Sequence, residues 1–86
     1  MQRIVKWTEG GYNPKPPYLG GAGKNGYVND LDGGAVFALD LTPEALQVHH
    51  PDLLRALSHR GRLGRIVSHS WTSSSSYRRW TFVVEF

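Results

Sequence analysis

The chain has 86 residues, of which 40% are hydrophobic and 20% charged, and it carries a formal net charge of +3. This length and composition predict one folded domain over residues 1–86 and exclude a disordered chain, because enough apolar side chains are present to build a core. The absence of cysteine excludes disulfides and a thiol nucleophile, and no apolar run reaches the roughly 18 residues of a membrane span. We expect a cytoplasmic protein that does not contact membranes, since the first residues also lack the apolar segment of a signal peptide.

The first third of the chain changes character after one short strand. Residues 2–8 predict a strand, because β-branched and aromatic side chains dominate them. Residues 10–34 hold eight of the ten glycines and three prolines, which predicts a long irregular loop. Within that loop Asn25-Gly26 is a two-residue turn signal, and a second strand is predicted over residues 35–39.

Two short helices are expected next. Thr42 is a suitable N-cap and Pro43 suits the first helical position, so a helix should begin there. Pro51 then interrupts this helix, because the residue before a proline avoids helical backbone angles. A second helix is predicted over residues 52–60, with Gly61 ending it.

The last part of the chain, residues 63–86, predicts an antiparallel hairpin whose two strands are joined by the polar residues 72–76. In its second strand, alternation assigns one set of side chains to the core: Trp80, Phe82, Val84 and Phe86. The neighbouring Tyr77 and Arg79 should be exposed together. The whole pattern predicts an α+β fold, with a small antiparallel sheet of about four strands and one or two short helices packed on one face.

The charge distribution carries the clearest functional signal. Residues 53–84 contain six arginines, two histidines and no acidic residue, whereas residues 1–52 contain six acidic and four basic residues. A continuous cationic half predicts a surface that meets an anionic partner. Arginines next to aromatic rings suit unpaired nucleic acid, and the same residue types are enriched in protein interfaces. The predicted binding residues are Arg55, Arg60, Arg62, Arg65, Trp71, Tyr77, Arg78, Arg79, Lys24, Tyr18 and Tyr27.

Three sequence patterns resemble ligand-binding motifs but lack the local structure or the ligand atoms that binding requires. Residues 21–26 match the pattern G-x-G-x-x-G, but their last two residues signal a turn rather than the helix start that would receive a pyrophosphate. The aspartates before Gly33 lack the further oxygen ligands of a calcium loop. His49 and His50 are adjacent, and such side chains do not converge on a metal from one helix. We therefore expect no cofactor and no metal.

A metal-independent ribonuclease or toxin is the alternative interpretation. Such an enzyme needs a general acid, a general base and cations over the phosphate. If Ser68 and Ser70 lie on one face of a strand, His69 lies on the other, where a cross-strand neighbour would place an arginine or Tyr77 beside the imidazole. The residues with suitable chemistry are His69, His59, Tyr77 and Arg79.

The sequence thus favours a small, basic, non-enzymatic binding protein. Its partner would be nucleic acid or the acidic face of a protein machine that handles nucleic acid. Inhibitors and counter-defence accessory proteins of phages and bacteria are typical of the second possibility. The sequence favours neither class of partner over the other.

Overall fold

The structure is a computed structural model that describes residues 1–11, 15–20, 37–74 and 76–86. In chain order the elements are β1 (Gln2–Gly10), α1 (Pro43–His49), α2 (Pro51–Ala56), β2 (Ser58–His59), β3 (Arg62–Leu63), β4 (Arg65–Ser73) and β5 (Tyr77–Glu85). The first strand therefore forms where it was predicted and continues to Gly10. The predicted turn at Asn25-Gly26 lies outside the described residues.

β5 is the central strand of a three-stranded antiparallel sheet with the order β1-β5-β4. The register places Trp80 opposite both Trp7 and Trp71. Every second residue of β5 is buried, because one face of the sheet packs on the core and the other, here called the outer face, points away from it. β2 and β3 form a separate two-stranded hairpin. The predicted α+β class is confirmed.

The core lies between the inner face of the sheet and the helices. Among the described residues, its buried apolar members are Val5, Leu19, Leu46, Leu53, Leu57, Trp80, Phe82 and Val84. The contribution of β5 to this core is the one that the alternation predicted. Leu19 is completely buried although it follows a proline-rich stretch, and its N–H donates to Glu9 Oε2 at 2.7 Å. This bond ties residues 15–20 to the sheet.

The first helix begins where its capping residue predicts, and the second begins at Pro51, one residue before its predicted start. Thr42 Oγ1 accepts a hydrogen bond from the N–H of Ala45 at 3.2 Å, and Pro43 takes the first helical position. The chain then breaks at His50, with φ of −140°, and Pro51 opens α2. In the part of the chain that the structure describes, no helix has the length and apolar character needed to cross a membrane.

The predicted end of the second helix is wrong, because α2 stops at Ala56 and the chain enters a hairpin. Ser58 Oγ donates to the carbonyl of Leu54 at 2.6 Å, which closes the end of the helix. The hairpin turns through Arg60 and Gly61, whose φ angles are 53° and 77°. Positive φ at both positions of a two-residue loop is what a type I′ turn requires. Gly61 therefore closes a hairpin instead of ending a helix.

The strand predicted over residues 35–39 does not form in its described part. The N–H groups of Ala38 and Leu39 both donate to the carbonyl of Leu19, at 2.6 and 3.1 Å. Two donors that converge on one carbonyl make a turn-like contact rather than the regular ladder of a strand. Residues 38 and 39 therefore hold the segment around Leu19 in place instead of adding a strand to the sheet.

Gly64 divides what the sequence predicted as one strand beginning at residue 63. A Cβ atom at this position would overlap Val84 and lie 2.6 Å from Cε1 of Phe86. Its N–H donates to the carbonyl of Leu57 at 2.9 Å. The backbone therefore passes directly over β5 and is held to the end of α2, which separates β3 from β4.

Candidate functional site

A groove lies between α1, α2 and the β2–β3 hairpin. Its volume is about 760 Å³, which falls within the range of about 300–1,000 Å³ that is typical of ligand pockets. Three arginines and three apolar residues supply its chemistry: Arg55, Arg60, Arg62, Pro43, Leu54 and Leu63. We call it the arginine groove. It brings together three of the arginines that the sequence proposed for binding.

The three arginines of the groove differ in their ion pairing. Arg55 Nη2 pairs with Asp52 Oδ1 one turn earlier in α2, and both side chains are largely exposed. Arg60 and Arg62 form no ion pair with any residue that the structure describes. Both are exposed. Within the described part of the chain, the two guanidinium groups at the hairpin are therefore exposed to solvent without a neighbouring carboxylate.

The hairpin is fixed to the sheet by Arg3 of β1. Its Nη1 donates to the carbonyls of Ala56 and Ser58, both at 2.9 Å. Its guanidinium also lies 4.9 Å from the centre of the Phe86 ring and gains a cation–π contact. Arg3 thus holds the junction between α2 and β2, and with it the position of the turn that carries Arg60.

The floor of the groove is apolar. Leu54 and Leu63 are half-buried and pack against the core, while each also lines the groove. Neither Leu54 nor Leu63 was among the predicted binding residues. The signal that would have found them is the pair Arg60-Gly61, because a two-residue turn there folds Leu63 back toward α2.

Arg65, Tyr77 and Arg79 lie away from the arginine groove, on the outer face of the sheet. Arg65 Nη2 donates to Glu85 Oε1 at 3.1 Å, and the Arg79 guanidinium lies 5.9 Å from the centre of the Tyr77 ring. Hydrogen bonds from Gln2 and then from Arg65 hold the pKa of Glu85 below its usual range. Arg79 is exposed and Tyr77 half-buried, so the two form a separate small patch.

Arg78 is a correction to the predicted binding surface, because its side chain is only 1% exposed. It lies opposite Glu9 in the sheet register, with 3.9 Å between Nη1 and Oε1. Its guanidinium stacks 4.3 Å from the centre of the Trp71 ring. Burial lowers the pKa of Arg78, and the Glu9 carboxylate opposes that shift. Arg78 shares the inward direction of Trp80, two residues along β5, so it belongs to the interior, with the half-buried Trp71 packed against it.

The glycine-rich loop contributed three predicted binding residues. Tyr18 is half-buried beside the completely buried Leu19, so it lies where the loop is anchored. Lys24 and Tyr27 lie outside the described residues.

The residues of the ribonuclease alternative do not converge. His69 faces inward on β4, opposite Phe82, and its ring centre is 4.6 Å from that of Phe37. The direct cross-strand neighbour of His69 is therefore Phe82 and not the expected arginine or Tyr77, and Tyr77 and Arg79 lie on the outer face of the sheet. His59 is in the hairpin, 5.4 Å from the Phe86 ring.

Within residues 1–11, 15–20, 37–74 and 76–86, no three His, Asp or Glu side chains lie close enough together to hold a metal ion. No protein-family model, no curated protein and no solved structure matches the chain. Function is therefore inferred from the geometry and chemistry of the arginine groove.

Proposed function

We propose that this chain is a non-enzymatic binding protein that docks onto an anionic partner through the arginine groove. The observation that carries the proposal is the position of Arg60 and Arg62, exposed beside an apolar floor and without an ion pair to any described residue. A guanidinium offers donors in a planar fork that matches carboxylate and phosphate. The guanidinium groups of Arg60 and Arg62 can therefore bind an anion that another molecule supplies.

The backbone of Arg60 supports the same conclusion. Its φ of 53° lies in the left-handed region, where a residue other than glycine is less stable by roughly 1–2 kcal/mol. This position of the turn favours asparagine, aspartate or glycine. Residues held in unfavourable backbone regions cluster at binding sites. An arginine here is explained by its guanidinium, because the turn itself would be more stable with another residue.

The partner classes that fit this chemistry are nucleic acid and the acidic face of a protein that handles nucleic acid. In the second case the protein would act as an inhibitor or accessory factor. As part of the same proposal, its lack of cysteine suits a reducing compartment such as the cytoplasm.

The experiment measures binding of fluorescently labelled single-stranded RNA and labelled polyglutamate by anisotropy, at low and high salt. The test variant, Arg60→Asn with Arg62→Gln, removes two charges and keeps residues that suit the turn. We expect it to weaken binding of whichever probe the protein takes by about fivefold to thirtyfold. If the probe is RNA, the log–log salt slope should fall by roughly 1.4, since each single-strand phosphate contact contributes about 0.7.

The matched control is Lys6→Gln with Arg79→Gln, which removes two exposed charges from the outer face of the sheet. An equal loss of binding in this control would show that the binding site is not the arginine groove. Failure of the native protein to bind either probe at millimolar concentration would contradict the proposal. RNA cleavage on a denaturing gel, lost in His69→Ala by about 100-fold or more, would establish the ribonuclease alternative instead.

A further inference from the structure

The lining of the arginine groove is chemically mixed in a way that discriminates between anionic partners. Its cations, Arg55, Arg60 and Arg62, surround an apolar floor formed by Leu54 and Leu63. A phosphodiester backbone can satisfy the cations but has no aliphatic group for the floor. A polypeptide can supply a carboxylate and an aliphatic side chain from adjacent residues.

The aromatic rings of the described chain are placed elsewhere. Trp80 and Phe82 are completely buried, and the half-buried Trp71 packs against the buried Arg78 guanidinium. Tyr77 is on the outer face of the sheet. Proteins that bind single-stranded nucleic acid stack its bases on exposed rings, and no described ring lines the groove. The described residues therefore give the groove no ring surface on which unpaired bases could stack.

We infer, resting on the proposed function, that the occupant of the groove is an acidic segment of a partner protein that carries at least one large apolar side chain. That side chain packs between Leu54 and Leu63, and flanking carboxylates pair with Arg60 and Arg62. An apolar anchor inside a polar rim is the usual organisation of a protein interface. The charge of the rim selects Asp and Glu on the partner.

Asp52 gives this inference a distinctive consequence. Its carboxylate, 73% exposed, pairs with Arg55 at the edge of the groove. A partner carboxylate that approaches Arg55 meets the negative charge of Asp52, which repels it. Removing the Asp52 carboxylate should therefore strengthen binding of an acidic segment, by about twofold to fivefold. A residue that only supports the fold would not produce a gain when it is replaced.

The experiment uses the full chain and three labelled ten-residue peptides of Asp and Glu that carry two leucines at spacings of one, three or four residues. Each leucine peptide has a matched control peptide in which serine replaces both leucines. A ten-nucleotide single-stranded RNA serves as the third kind of probe. Binding is followed by chemical-shift changes in NMR spectra. We expect at least one leucine peptide to bind about tenfold or more tightly than its serine partner, because the leucine contact removes apolar surface from water.

The contribution of the apolar floor is tested by changing the peptide instead of the protein, so the fold of the protein is not altered. Asp52→Asn should tighten the leucine peptide, and Arg60→Asn should weaken it, with resonances of Leu54 and Leu63 shifting on binding. Equal affinity for leucine and serine peptides, or salt-sensitive binding of RNA alone, would overturn this inference while the proposed function survives. No binding of any probe would overturn both.

Discussion

Arg78 and Glu9 form a buried ion pair, with 3.9 Å between Nη1 and Oε1 and 1% exposure of each side chain. The same carboxylate accepts hydrogen bonds from Trp80 Nε1 at 2.9 Å and from the N–H of Leu19 at 2.7 Å. It therefore joins β1, β5 and the segment of residues 15–20. A charge can be buried here because several donors surround it.

We expect Arg78→Met to lower the free energy of unfolding by about 3–5 kcal/mol, because it leaves the Glu9 carboxylate buried without its counter-ion. Urea unfolding followed by tryptophan fluorescence measures this change. Arg79→Met is the matched control, since Arg79 is the exposed neighbour on the same strand. Its effect should stay within about 0.5 kcal/mol.

A double-mutant cycle separates the ion pair from the loss of packing. Glu9→Gln removes the charge that faces Arg78 and keeps one oxygen, so it can accept from only one of the two donors, Trp80 Nε1 and the Leu19 N–H. The stability losses of Glu9→Gln and Arg78→Met, added together, should exceed the loss measured in the double variant. The difference is the coupling energy of the pair, which should be about 1–3 kcal/mol. Strictly additive effects would show that the 3.9 Å approach carries no energy.

A second prediction concerns the close approach of Gly64 to β5. Because a Cβ there would overlap Val84 and lie 2.6 Å from Phe86 Cε1, we expect Gly64→Ala to destabilise the fold by about 1–3 kcal/mol through overpacking. Urea unfolding measures this loss.

Gly61 provides the contrast for that measurement. Among the described residues other than Gly61 and its two chain neighbours, no heavy atom lies within 4 Å of a Cβ built there, but its φ is +77°. Gly61→Ala should therefore lose about 1–2 kcal/mol through backbone strain, and Gly61→Asn should lose less because asparagine tolerates that region. If Gly64→Ala is neutral, the backbone there has more room than the structure gives it.

The sequence predicted the parts of the fold that depend on neighbouring residues. Thr42 and Pro43 start a helix because a cap and its proline act within one turn, and the alternation through Trp80 and Phe82 shows which face of β5 is buried. The end of α2 was missed, since a glycine after a basic residue suits a helix end as well as a hairpin turn. Only the pairing of Ser58 with Leu63 decides between them.

The arginine groove was predictable in its charges but not in its geometry. Arg55, Arg60 and Arg62 could be named from the cationic half of the chain, whereas their convergence depends on the β2–β3 turn. The burial of Arg78 depends on Glu9, which is distant in sequence and adjacent only in the sheet. Composition alone could not separate a buried arginine from exposed ones.

The third prediction follows from the pKa of Glu85, which hydrogen bonds from Gln2 and Arg65 hold below the ordinary value of 4.5. A carboxylate with a lowered folded-state pKa stabilises the fold above its unfolded-state pKa. That contribution is lost as pH falls through the folded-state value. The native chain should therefore exceed Glu85→Gln in stability at neutral pH, and the difference should disappear once the pH lies well below the folded-state pKa. A gap that persists in acid would assign the effect to packing.

The last prediction separates stability from binding at Arg60. Asparagine is favoured over arginine at the first position of a type I′ turn, so Arg60→Asn should leave the free energy of unfolding unchanged or raise it by up to about 1 kcal/mol. Urea unfolding measures this change in the same preparation used for the binding experiments. Arg60→Gly should behave alike, because glycine also accepts a φ of 53°. A variant that gains stability and loses the anionic probe would show that the arginine serves recognition. A fall in stability above about 1 kcal/mol would show that the Arg60 side chain supports the hairpin. The left-handed backbone of Arg60 would then no longer support a role in binding.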